Sequence, residues 1–174
     1  MQALPSARKD DFSMKKIICI LLTLLLAGCA AFAQEVATQP PVEFITIGFE
    51  DGFSLSLPDD WMHYPISAEM ANDSVLYCLS NADASRWLYI QSWETDCSNV
   101  QELHSLISET AKPENSGIYS FNQTDFVVYD LMGSDVSCCA VLLNGGALNF
   151  VFTPQSDPDF MLIAAQIISS FALI

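Results

Sequence analysis

Six cysteines, two histidines and a scatter of serines and carboxylates are the residues of this chain that could do covalent or metal chemistry. Few have partners in the right pattern. No G-x-S-x-G elbow is present, and Gly133-Ser134 reads as a hairpin turn. A Cys–His or Ser–His enzyme needs its members to meet only in space, so His63 and His104 stay open as bases. His63 follows Trp61 in a polar stretch, and His104 falls on a helix surface beside Leu103. No local signature joins either to a nucleophile. Zinc would want C-x-x-C or H-x-x-x-H spacing, and neither occurs. The acidic pairs Glu50-Asp51, Asp59-Asp60 and Asp157-x-Asp159 lack the D-x-[DN]-x-[DN]-G spacing of a calcium loop and read as turn or cap residues. The glycines form no phosphate loop, so no catalytic, metal or cofactor site is expected.

Four cysteines, Cys78, Cys97, Cys138 and Cys139, fall in the region that reads as folded. An exported domain can hold disulfides, and four thiols allow three full pairings. Cys138 and Cys139 are adjacent in a strand, so they point to opposite faces of a sheet and a direct bond would be strained. One bridge from that strand to Cys78 or Cys97, or four free thiols, are both open. A different constellation sits at Trp87, Tyr89, Gln91 and Trp93, which alternate and so share one strand face. Three aromatics on one face pack under a helix or offer a stacking surface for carbohydrate or peptide. Gln91 among them marks a partly wet face.

Cys29 has its own context. Met14-Lys15-Lys16 is a short positive segment, and Ile17–Ala27 is an apolar run of 11 residues. A membrane span needs about 20, so the run is too short to cross. It ends in Leu26-Ala27-Gly28-Cys29, which resembles the lipobox of bacterial lipoproteins. The resemblance implies diacylation of the Cys29 thiol and cleavage before it. Ala31-Phe32-Ala33 offers the rival of ordinary signal cleavage. Residues 1–13 then read as an extension upstream of the natural start, 14–28 as the signal peptide, and 29–43 as a lipidated tether stiffened by Pro40-Pro41. Two acyl chains hold a protein stably on a membrane. The location implied is the bacterial cell envelope, facing outward.

Charge narrows the partners. Of six basic residues only Arg86 and Lys112 follow Cys29, against 19 Asp and Glu, a balance of −17. Such a surface repels phosphates, which excludes nucleic acid and disfavours anionic head groups. The membrane is reached through the lipid, and a further protein or carbohydrate partner is left open.

The elements that must position these residues occupy 44–174. Strands are expected at Phe44–Phe49, after the Asp51-Gly52 turn through Leu57, at Val75–Leu79 and at Trp87–Trp93. Ser67–Asn72 reads as one helical turn. Ser98 and Gln101 resemble a capping box for a helix that carries Val100, Leu103, Ile107 and Ala111 and closes at Pro113. Four strands follow, Gly117–Phe121, Asp125–Met132, Val136–Leu143 and Ala147–Thr153. Their connections are short, so they should be antiparallel neighbours. Asp157 and Pro158 start a last helix, and 160–174 is apolar at 12 of 15 positions. Strands 125–132 and 136–143 are apolar on both faces, so the sheet must be covered on both sides. The fold class expected is α+β, a three-layer α/β/α sandwich with a mostly antiparallel central sheet of about six to seven strands and a helix on each face.

Gly52-Phe53-Ser54-Leu55-Ser56-Leu57-Pro58-Asp59-Asp60-Trp61 resembles the opening of PsbP-like proteins, and Ile167-Ile168-Ser169-Ser170-Phe171 is similar to their closing helix. The order of elements over 44–174 fits as well. The resemblance implies a sandwich around an antiparallel sheet, and many bacterial members are secreted lipoproteins. Better-known members serve photosystem II as an extrinsic subunit or partner small GTPases. No residue set here carries either role over.

The function these readings support is a non-catalytic, membrane-tethered binding lipoprotein. An uncharacterised envelope hydrolase and a structural or assembly lipoprotein are the alternatives. Cys29→Ser should move the protein from the membrane to the soluble fraction on cell fractionation. A wild-type protein that is secreted freely and begins at Gln34 would show that Cys29 carries no lipid.

Overall fold

Residues 42–143 and 145–174 are described in a computed structural model, so the export signal, Cys29 and the tether lie outside the described residues. The first local decision is made at Gly52. Its φ of +86° suits a residue without Cβ, and it turns β1 (Phe44–Phe49) back along β2 (Phe53–Pro58). Strand β3 is only Met62–His63, so His63 lies in a short edge strand rather than the polar loop expected. Helix α1 (Ala68–Asn72) is capped by the Ser67 hydroxyl, which accepts from the Met70 N–H. Then come β4 (Val75–Ser80) and β5 (Trp87–Trp93).

Helix α2 (Val100–Thr110) starts one residue later than the expected box. Asn99, not Ser98, is the N-cap, and its side chain accepts from the Glu102 N–H. Glu102 reaches back in turn, with Oε2 accepting from the Ser98 N–H and hydroxyl. Either Asn or Ser can cap, and the winner is the one with an acid three residues on. Those bonds lower the Glu102 pKa, led by the Ser98 N–H.

Four strands follow, β6 (Asn115–Phe121), β7 (Thr124–Asp130), β8 (Ser137–Leu143) and β9 (Gly146–Thr153). Asn122 and Gln123 both adopt positive φ, 47° and 67°, as a two-residue hairpin turn of this hand requires. Helix α3 (Pro158–Ser169) is capped by Asp157, whose Oδ1 accepts from the Phe160 N–H while Arg86 Nη2 lies 2.7 Å from Oδ2. The helix ends at Ser169, five residues before the end of the apolar run. Ala172–Leu173 form β10, which pairs with Ser54 and Phe53 of β2.

The strands sort into two antiparallel sheets. Seven are ordered β3-β4-β5-β9-β8-β7-β6, and three are ordered β1-β2-β10. Both sides of the large sheet are covered. On one side lie α3 and the small sheet, over a core of Leu79, Leu88, Ile90, Phe126, Phe150 and Phe152. On the other, Leu103 and Ile107 of α2 pack on Val127, Tyr129, Cys138, Ala140 and Ala147. The sequence patterning led to a helix on each face, and that three-layer arrangement is what forms. The small sheet as a partner to α3 was not legible, because β2 (burial nearly complete) alternates apolar and serine like an ordinary half-exposed strand.

Phe171 knits the thicker layer together. Its ring centroid lies 5.9 Å from Phe53, 5.4 Å from Phe126 and 5.8 Å from Phe150. The Ser170 hydroxyl accepts from the Ser56 N–H at 2.7 Å, fastening the helix end to β2. Phe171→Ala should therefore cost about 3–5 kcal/mol by urea denaturation. Domain stability is only about 5–15 kcal/mol, so removing residues 160–174 should leave no cooperative melting transition.

Candidate functional site

The aromatic stripe is the site that the fold leaves open. Leu88 and Ile90 of β5 turn inward to the phenylalanine-rich core, so Trp87, Tyr89, Gln91 and Trp93 face the side of α2. That helix packs on β6, β7 and β8. It covers the β6 to β8 half of the face; on the other half, among the described residues, the only helix that touches β4 is the five-residue α1, and Gln91 Nε2 donates to the Asp73 carbonyl just beyond that helix. Trp87, Tyr89, Gln91 and Trp93 are all half-buried. Tyr64, from the segment after β3, joins them. Its ring stands 4.9 Å from Trp87, which stacks on Tyr89 at 5.9 Å and 5°. The Trp87 indole N–H donates to the Ala84 carbonyl, which fixes the ring in place. Tyr64 was not legible as a member, because the strand that carries the chain to it is two residues long.

Polar groups lie at the inner border of this face. Asn149, only 4% exposed, donates from Nδ2 to Gln91 Oε1 at 3.2 Å, while its Oδ1 has no partner among the described residues. The Trp93 indole N–H is likewise buried without one among the described residues. An unmet buried polar atom costs about 1–3 kcal/mol, so both are sites where a hydrogen-bonding group would be welcome. The Tyr89 hydroxyl is held neutral to higher pH, first by burial and then by the Cys78 sulfur beside it.

The four cysteines in the described residues are free thiols. Alternation puts Cys138 toward α2 and Cys139 toward α3. Cys78 shares a face with Cys138, but β5 and β9 stand between them. Three strand spacings are about 14 Å, far beyond a disulfide's reach. Burial pushes the Cys139 thiol up to about 12 and the Cys138 thiol up to about 11. Burial also raises Cys78. Such thiols are poor nucleophiles and sit as small apolar side chains.

The other chemical residues gather less. His104 Nε2 lies 3.0 Å from Ser116 Oγ, pairing α2 with β6, and among the described residues no carboxylate is hydrogen-bonded to that ring. His63 packs against Phe49 and Tyr77 at ring distances of 6.3 and 6.2 Å. Tyr77 donates to Asp51 at 2.7 Å, and burial with that carboxylate pushes its pKa up to about 12. Two clefts of about 530 and 590 Å³ flank Asp51 at the end of the sheets, and neither contains a histidine. Among the described residues no group of three or more His, Cys, Asp or Glu is placed to hold a metal ion. The lipobox residues Leu26, Ala27, Gly28 and Cys29 lie outside the described residues.

Comparison with known proteins places the fold. The solution structure of cyanobacterial PsbP (CyanoP) from Synechocystis sp. PCC 6803 is similar with a TM-score of 0.54 and 11% identity, over 80% of this chain and 98% of that one. A crystal structure from Bacteroides thetaiotaomicron VPI-5482 is similar at a TM-score of 0.45 and 12% identity, over 74% of this chain and 47% of that one. No family model matches the sequence. No curated protein matches it either. The class is therefore defined by architecture: the domain has a PsbP-like fold.

Burial orders the thiols by reactivity. Cys97, half-buried in the segment before α2, should be alkylated by iodoacetamide at pH 8, while Cys78, Cys138 and Cys139 should react only in denaturant. Peptide mapping by mass spectrometry checks this. Fewer than four alkylated sites in denaturant without reductant would reveal a disulfide.

Proposed function

We propose that this protein is a membrane-tethered, non-catalytic binding module of the bacterial cell envelope, and that its ligand stacks on the open face formed by Tyr64, Trp87 and Tyr89. The export signal and the lipobox support the tether and the outward location. The observation that carries the binding reading is the aromatic row left beside α2, with rings 4.9 and 5.9 Å apart. The half-exposed rings of Trp87 and Tyr89, held on one strand with Tyr64 tilted at 57° against Trp87, lose little entropy on meeting an apolar surface such as a sugar face or a peptide side chain. Gln91, held by the Asn149 amide behind it, supplies an amide group at the border for orientation. The acidic surface keeps polyanions away.

A second reading has one observation in its favour. The 3.0 Å contact between His104 and Ser116 is the start of a hydrolase dyad. Among the described residues no acid orients the ring, which such sites commonly use. A fluorophosphonate probe that leaves Ser116 unlabelled sets this reading aside.

Binding can be tested with soluble envelope oligosaccharides and unstructured peptides, followed by tryptophan fluorescence. Buried aromatic anchors at interfaces are worth about 2 kcal/mol or more, so Trp87→Ala should weaken binding about 30-fold or more. Thermal unfolding should show the fold unchanged. Equal binding by Trp87→Ala and by Tyr89→Ala would remove the face from consideration.

A further inference from the structure

The large sheet ends differently on its two sides. At one edge β3 is two residues long, and a very short edge strand is itself a way of blunting an edge. At the other edge β6 runs seven residues, and among the described residues no strand lies beyond it. An edge strand presents a row of unpaired main-chain N–H and C=O groups. Proteins usually close such a row with lysine, proline, a bulge or a cover. Strand β6, Asn-Ser-Gly-Ile-Tyr-Ser-Phe, has no charge and no proline. Its register with β7 is unbroken from Asn115↔Asp130 to Phe121↔Thr124. Ile118 is 37% and Tyr119 56% exposed. Alternation sends these two side chains to opposite faces, giving an apolar hold on each side of the edge. A depression of about 410 Å³, lined by Ser116, Tyr119, Tyr129 and Asp130, lies beside it.

Charge decides what fits. Glu114 immediately precedes the strand, Asp130 lies opposite Asn115, and Asp125 lies opposite Ser120 and accepts from its hydroxyl. Carboxylates thus bracket β6 at both ends. Glu109, near the end of α2, adds to them, and Lys112 is the one base nearby in sequence. A second copy of this chain paired antiparallel through β6 would set the Glu114 and Asp130 end of each strand against the Asp125 end of the other. Like charges so placed disfavour pairing.

We propose that β6 is a strand-addition site for an extended, lysine- or arginine-bearing segment of another protein. The segment's main chain completes the hydrogen bonds of the edge, and its basic side chains meet Glu114, Asp125 and Asp130. The surface is separate from the aromatic face, so either can hold without the other.

The test uses amide hydrogen exchange of the full chain with two synthetic peptides. Both alternate valine and threonine over seven residues, one ending in lysine at each terminus and the other in glutamate. The lysine-ended peptide should slow exchange within 115–121 at least tenfold, and the glutamate-ended one should not. Adjacent residues direct their N–H groups alternately toward β7 and away from it. One of Ile118→Pro and Tyr119→Pro therefore removes only an outward donor. That variant should keep the parent melting temperature and lose the protection, with net charge unchanged. If neither proline variant folds, the two-peptide comparison on the unaltered chain still decides. The proposal is overturned by absence of protection in β6 or by equal protection from both peptides. Protection that grows with protein concentration alone would assign the edge to a second copy. Full protection at every concentration without peptide would assign it to the chain itself.

Discussion

Strands β8 and β9 must be buried on both faces, and the rest of the domain is arranged to satisfy that demand. Ser137–Val141 of β8 and Ala147–Phe150 of β9 are buried residue after residue. A strand at the edge, or with one wet face, cannot bury alternate side chains in both directions. The two strands therefore sit inside the seven, with β3, β4 and β5 beyond β9 and with β7 and β6 beyond β8. Each face then needs its own apolar cover. Helix α2 supplies one with Leu103 and Ile107. The other cover is larger, because Phe126, Phe150 and Phe152 project there and need matching bulk. Helix α3 alone is too narrow, and β2 brings Phe53, Leu55 and Leu57 to complete it.

Unequal covers explain where a ligand could be met. An 11-residue helix is about 16 Å long and about 10 Å wide, whereas seven strands at 4.8 Å spacing span roughly 30 Å. One helix cannot roof that width. It settles over β6 to β8, where Val127, Ala140 and Cys138 are the apolar partners, and β5 keeps its aromatic row half-open. Separately, the strand order ends at β6, and among the described residues no strand pairs with its outer edge. The aromatic row is thus left open by the width of the sheet, and the β6 edge by the end of the strand order.

The cysteines play no part in this economy except as filling. Placed on alternate faces of a central strand, Cys138 and Cys139 are sealed in different cores, and burial holds both as neutral thiols. Apolar contact between the sheet and its two covers carries the architecture. Polar ties add to it: Arg86 with Asp157 joins the start of β5 to the cap of α3, and the Ser170 hydroxyl joins the end of α3 to β2.

Much of this was legible from the chain alone. Apolar residues on both sides of 125–132 and 136–143 required cover on two faces. Asp51-Gly52, Asn122-Gln123 and Asp157-Pro158 marked turns and a helix start through local backbone chemistry that no tertiary contact needs to supply. Alternation put Trp87, Tyr89 and Trp93 on one face and sent Cys138 and Cys139 to opposite ones. What stayed hidden depends on contacts between residues far apart in sequence. Ala172 and Leu173 continue an apolar run, and only their pairing with Ser54 and Phe53 turns them from helix to strand. Tyr64 joins Trp87 because β3 returns along β4, which two residues of sequence cannot announce. Ser98 and Asn99 are equally good caps by type, and the position of Glu102 chose between them. Periodicity says which side of a strand is apolar. Which half of that side a single helix reaches is set by the sheet's width and order, and those exist only once the strands have paired.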